Sequence, residues 1–75
     1  MSASVYSTTS CPYCTLVKNY LKEKKVPFQD FDVGRDQRRA DEMVRKSGQM
    51  GVPVVEINGR IIIGFNKAEI DKALA

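Results

Sequence analysis

Val52-Pro53-Val54-Val55-Glu56-Ile57-Asn58-Gly59-Arg60-Ile61-Ile62-Ile63 is the stretch on which the fold turns. Two β-branched runs flank Asn58-Gly59, a dipeptide that accepts the positive φ angles of a two-residue hairpin turn. Residues 61–63 show no polar alternation, which predicts cover on both faces of that strand. Downstream, Gly64-Phe65 leads into Asn66-Lys67-Ala68-Glu69, spaced like a capping box, and Ile70, Ala73 and Leu74 supply the buried face of a last helix. Upstream, Ser47-Gly48 is a helix stop, and Asp36 to Lys46 reads as a helix with Ala40, Met43 and Val44 inward. Gly34 turns the chain after Phe28 to Val33, a strand of period two with mixed faces. Residues 12–25 read as an amphipathic helix through Leu16, Val17, Tyr20 and Leu21, with a basic end at Lys22, Lys24 and Lys25 and a stop at Pro27. Ala3 to Ser7 is a short β-prone segment. The hydroxyls of Thr8-Thr9-Ser10 suit a loop and a helix cap.

The order is β-α-β-α-β-β-α. A parallel pair joined by a helix, then an antiparallel hairpin, predicts the α/β class: one four-stranded mixed sheet with three helices on its two faces. Seventy-five residues without a linker or repeat predict a single domain over 1–75. A chain this short buries only a little over about 60% of its unfolded surface.

Net charge is +3, and five of the twelve basic residues lie between Arg35 and Lys46 among Asp36, Asp41 and Glu42. That pattern reads as a solvated helix face, or as a docking surface for an acidic partner. Nucleic acid is not expected, because no basic–aromatic stripe accompanies the charge. No stretch approaches the roughly 18 apolar residues of a membrane span. Met1-Ser2-Ala3-Ser4 has neither a charged nor an apolar leader region, so a cytoplasmic, reducing setting is expected. With no evident spare apolar face, a monomer is expected.

In such a setting a closely spaced cysteine pair is catalytic or metal-binding more often than structural. The chain holds two cysteines, in Cys11-Pro12-Tyr13-Cys14, between a strand and a helix. Pro12 suits the first helical turn, where its missing N–H costs nothing. Cys11 then sits at the helix tip, where unpaired N–H groups favour the thiolate; helix-start dithiols titrate at roughly 3.5–7.5 rather than about 8.5. Cys14, one turn in, is the more buried partner. Cys11 attacks a substrate disulfide and Cys14 resolves the mixed disulfide. The chain has no histidine, which excludes a Cys–His hydrolase. Lys18 is the nearest candidate for a further activating charge. Two thiolates are half of a tetrahedral site, so a metal or an iron–sulfur cluster needs ligands from outside the chain and stands as the alternative function. Pro53 either opens an edge strand or makes a cis bond that turns the Val52 backbone outward to pair with an extended substrate.

Tyr6-Ser7 before Cys11-Pro12-Tyr13-Cys14, Gly48-Gln49 before Val52-Pro53, and Gly64-Phe65 before the last helix together resemble the glutaredoxin family over essentially the whole chain. The resemblance implies a thioredoxin-like fold and a thiol–disulfide oxidoreductase that reduces protein disulfides or glutathione mixed disulfides. It also implies a cis Pro53, Cys11 as nucleophile and Cys14 as resolving thiol. The glutathione or peptide chain would lie against Thr8, Pro12, Tyr13, Val52, Pro53, Gly64, Phe65 and Asn66. No metal and no bound organic cofactor are implied; glutathione, or NADPH through thioredoxin reductase, would supply electrons. Three positions depart from the glutathione-using pattern. Thr8 stands for a lysine, Met50-Gly51 for a basic residue and a threonine, and Gly64-Phe65-Asn66-Lys67 for a Gly-Gly pair with an acid. In its single Gly64-Phe65 and its short length the chain is similar to the NrdH-redoxins and related small glutaredoxin-like proteins, some of which draw electrons from thioredoxin reductase.

Overall fold

The computed structural model describes residues 3–75; Met1 and Ser2, half of the stretch read for a leader, lie outside the described residues. The elements run β1 (Ala3–Ser7), α1 (Pro12–Glu23), β2 (Phe28–Asp32), α2 (Gln37–Ser47), β3 (Val54–Ile57), β4 (Arg60–Ile63) and α3 (Lys67–Leu74). They form one sheet in the order β2-β1-β3-β4. β1 pairs with β2 in parallel, Ala3 opposite Phe28, and with β3 antiparallel, Tyr6 opposite Val54. β3 and β4 form the hairpin, Ile57 opposite Arg60, and Asn58 and Gly59 both take positive φ, 51° and 80°, as that short turn demands.

Alternation along the two central strands builds two cores. Ala3, Val5, Val55 and Ile57 face Val17 and Leu21 of α1 and Ile70 and Ala73 of α3. Tyr6 and Val54 face the other way, onto Met43 of α2. One helix on that second face is too little to cover four strands, which corrects two expectations. Ile61 packs there, but Ile63, two residues on, is 52% exposed, so residues 61–63 are not covered on both sides. Val44 is 38% exposed, and Met43 alone of α2 is buried.

β2 is an edge strand, which explains its mixed faces. Phe31 stacks on Tyr6 with ring centroids 5.4 Å apart and lies under the Arg39 guanidinium at 4.0 Å. Asp30, pointing the other way, accepts from Ser7 Oγ at 2.6 Å and pairs with Lys18 Nζ at 2.9 Å. Burial would raise the Asp30 pKa, but those two hydrogen bonds and the lysine charges outweigh it, and the net shift is downward. Across the α2 face, Tyr6 donates to Glu42 Oε1 at 2.5 Å, and Lys46 bridges to Glu56 at 2.7 Å. The Tyr6 bond, joined by the charges of Arg39 and Lys46, holds Glu42 below the usual carboxylate range. Of the five basic residues on this stretch, Arg35, Arg39 and Lys46 are thus ion-paired.

Helix ends refine the sequence reading. α1 closes with Val26 N–H on Leu21 O at 2.9 Å and Lys25 N–H on Lys22 O at 3.0 Å, a Schellman pattern that puts Lys25 at φ 60°, so the helix stops before residue 25. Asn66 caps α3 by accepting from Glu69 N at 3.2 Å, but Glu69 does not reciprocate; its carboxylate reaches Arg60 and Lys72. Among the described residues no helix is long and apolar enough to cross a membrane.

Candidate functional site

Strand directions alone gather the site. β1 and β2 run to one end of the sheet, β3 starts there, and β4 ends there. The loop after β1 carrying Cys11, the loop after β2, the Val52-Pro53 entry to β3 and the Gly64-Phe65-Asn66 exit from β4 therefore meet at that end. All the residues expected at a substrate site sit in these four loops or in the first turn of α1.

Cys11 is the N-cap of α1, with extended backbone (φ −104°, ψ 108°), and Pro12 follows at the first helical position. The hydroxyls of Thr8-Thr9-Ser10 do not cap; the cysteine sulfur takes that place and accepts from Cys14 N–H at 3.1 Å. Its carbonyl accepts from Thr15 N–H at 3.3 Å. Cys11 is partly exposed, Cys14 fully buried, and the two sulfurs are joined in a disulfide with Cα atoms 5.2 Å apart. Tyr13 between them projects, 62% exposed. Lys18 does not serve the sulfur: its ammonium is engaged by Asp30 on β2. Backbone N–H groups are the source of positive potential at Cys11 on which the site can draw.

The Val52-Pro53 bond is cis. Pro53 is buried, and its carbonyl accepts from Gly64 N–H at 2.9 Å, tying the β3 entry to the β4 exit. Gly64 needs its lack of a side chain for φ 79°. Val52 is half-buried, and neither its N–H nor its C=O has a hydrogen-bond partner among the described residues. Phe65 leans edge-on against Tyr20, centroids 6.0 Å apart, and Lys67 Nζ lies 5.4 Å from the Tyr20 ring. Asn66 spends its side-chain oxygen on the helix cap. Phe65 and Asn66 thus have structural jobs at the rim.

A groove of about 350 Å³ opens at this end, lined by Thr8, Val33, Gly34, Val44, Met50 and Val52 among others. Thr8 and Val52 were legible in the sequence. Val33, Gly34 and Val44 lie beyond the site the sequence predicts; the parallel β1–β2 pairing signals Val33 and Gly34, because it sets the loop after β2 beside the loop after β1, whereas Val44 reads in the sequence as a core residue of α2. Among the described residues no three His, Cys, Asp or Glu side chains come together. A four-ligand metal centre on Cys11 and Cys14 would need donors from outside the chain.

A family model for glutaredoxin matches residues 3–62. An uncharacterised glutaredoxin-like 8.6 kDa protein of a rubredoxin operon in Clostridium pasteurianum is 51% identical over 70 residues, 93% of each chain. The N-acetyl-S-hydroxy-L-cysteine reductase of Bacillus subtilis is 49% identical over 53 residues, 71% of this chain and 57% of that one. Among solved structures, the thioredoxin-like protein BC3987 superposes with a TM-score of 0.88 at 28% identity, covering 95% of this chain and 97% of the other.

Proposed function

Because this chain belongs to the glutaredoxin family and its Cys11–Cys14 pair makes it a thiol–disulfide oxidoreductase, we propose that it reduces protein disulfides or glutathione mixed disulfides by a dithiol cycle run within the single domain 1–75. The observation that carries the reading is the cap geometry: the partly exposed Cys11 sulfur accepts the Cys14 N–H at the helix tip, and the partner sulfur is buried within bonding reach. In the reduced protein that N–H and the helix dipole favour the Cys11 thiolate. Cys11 attacks one sulfur of a substrate R–S–S–R′; the Cys11–S–S–R bond forms and R′–S⁻ leaves. Cys14, deprotonated, attacks Cys11 Sγ; R–S⁻ leaves and the Cys11–Cys14 disulfide closes. The substrate has gained two electrons, and the protein has lost them.

An extended client is held along Val52, whose N–H and C=O, unpaired among the described residues, offer the edge of a strand, with Tyr13, Thr8 and Pro53 around its sulfur. Pro12, Gly64, Phe65 and Asn66 shape the rim. Electrons return from glutathione, or from NADPH through thioredoxin reductase; the rates at which each reduces the oxidised protein separate the two donors. Thr8, Gly51 and Lys67 favour a slower reaction with glutathione: Thr8 and Gly51 offer its carboxylates no opposite charge, and Lys67, standing where an acid would meet its ammonium, repels that ammonium.

The Bacillus relative favours a second substrate class for the same sulfur. A thiol carrying a hydroxyl on sulfur, R–S–OH, would give Cys11–S–S–R and water, taking up one proton, and Cys14 would release R–SH as before.

The test is trapping. Cys14→Ser is expected to accumulate a Cys11–S–S–R adduct seen by intact mass, and Cys11→Ser to lose turnover altogether. Faster alkylation of Cys14 than of Cys11 in the reduced protein at neutral pH would reverse the roles.

A further inference from the structure

The loop that delivers Val52 is held by one side chain. Gly51 N–H donates to Gln49 Oε1 at 2.6 Å, and Gln49 Nε2 donates back to the Gly51 carbonyl at 3.1 Å. A carboxamide bonded to both backbone groups of one residue imitates the neighbouring strand of a ladder. Gln49 is itself anchored. Its Nε2 lies 3.3 Å and its backbone N–H 3.4 Å from Ser47 Oγ, and that hydroxyl reaches the Met43 carbonyl at 2.7 Å. Hydrogen bonds therefore run without a break from buried Met43 in α2 to the residue before Val52.

Position 51 is glycine for this contact and not for its backbone angles. The positive-φ glycines are Gly48, Gly59 and Gly64, and Gly51 is not among them. A Cβ built at Gly51 would stand 2.7 Å from Gln49 Oε1, and the other atom within 4 Å belongs to the same side chain. Apart from its two chain neighbours, Gln49 alone stands within 4 Å of that Cβ. The pair is mutually dependent: the carboxamide fits because residue 51 has no side chain, and any side chain there must evict it.

With both polar groups of Gly51 occupied, an extended client can pair with the Val52 backbone only. We propose that Gln49 and Gly51 act as one positioning unit, which holds the Val52 backbone ready to bind a disulfide-bearing peptide. Gln49, whose hydrogen bonds go to Ser47 and Gly51, acts through Gly51. The inference rests on the reading of Val52 as the client-binding strand.

The probe is an unstructured peptide with one cysteine in mixed disulfide with a small thiol, reduced in single turnover by pre-reduced protein. Half-saturating peptide concentration and limiting rate are read separately. Gln49→Ala and Gly51→Ala are each expected to raise the half-saturating concentration about three- to tenfold, with the limiting rate and Cys11 alkylation unchanged. The double variant is expected to be no worse than either single, because each removes the same contact. Gln49→Glu, which keeps the acceptor for Gly51 N–H and loses the donor, is expected to fall between wild type and Gln49→Ala. It decides the matter with Gln49→Ala should Gly51→Ala not fold. An unaltered half-saturation in Gln49→Ala, additive losses in the double, or an alkylation rate that falls in step would each overturn the inference while leaving the dithiol reading standing. No reduction of the peptide by wild type would overturn both.

Discussion

At Cys11 a sulfur stands where helices usually place an oxygen, and the cap hydrogen bond from Cys14 N–H is the same bond that would stabilise a thiolate. Residue type and spacing, with Pro12 at the first helical position, place Cys11 at the helix tip in the sequence; that its sulfur, and not a hydroxyl of Thr8-Thr9-Ser10, makes the cap is a finding of the structure. Lys18 shows where the reading of single residues ends. From its place four residues after Cys14 it looked available to the sulfur, yet Asp30, twelve residues on and on another element, holds it. Ser7 is the buried member of that group, 3% exposed, and its hydroxyl depends on the same carboxylate. Asp30→Ala strands a buried donor, whereas Ser7→Ala removes the donor and leaves Asp30 with Lys18. We expect Asp30→Ala to cost about 1–2 kcal/mol and Ser7→Ala less than about 1 kcal/mol by urea unfolding. The ion pair itself contributes little of this, being near the surface.

Among the elements, the hairpin was the most legible, because Asn58-Gly59 leaves few alternatives to a two-residue turn. The end of α1 was the least. Pro27 drew attention as the stop, but the Schellman bonds end the helix before it, with Lys25 in the left-handed region at φ 60°. A side chain there costs about 1–2 kcal/mol that glycine avoids, partly offset by glycine's greater freedom when unfolded. Lys25→Gly is expected to raise stability by about 0.5–1 kcal/mol, seen as a Tm several degrees higher. A lower Tm would show that the Lys25 side chain itself holds the turn.

Over the whole molecule, helix and sheet are tied by titratable groups, and stability follows their protonation. Tyr20 on α1 donates to Asp71 on α3 at 2.5 Å, and that bond, with burial and the charges of Asp71 and Glu23, pushes its pKa up to about 12. Burial and the bond to Glu42 raise Tyr6 as well. A phenol whose folded value is raised binds its proton more tightly when folded, so its contribution is whole below the unfolded value of about 10 and is lost as pH climbs. The stability difference between wild type and Tyr20→Phe should be constant below pH 10 and vanish by about pH 12. Carboxylates give the opposite limb. Asp30 and Glu42 are lowered when folded, so their contribution is present above the ordinary carboxylate values and is lost as pH falls through the depressed ones. Acid unfolding of Asp30→Asn should start from a lower stability and fall less steeply, read by circular dichroism.

The amino-acid sequence by itself determined the element order, the mixed sheet, the placing of Cys11 at a helix tip and the family, since each rests on local spacing, turn chemistry or residue type. Only the tertiary structure decided which strand ends share the site, that Asp30 claims Lys18, that Ile63 and Val44 are left open, and that Gln49 clamps Gly51. The physical reason is that periodicity states which residues seek cover but not how far one helix can spread over four strands. Likewise, a side-chain amide two residues from a glycine shows no preference for it until the loop is closed.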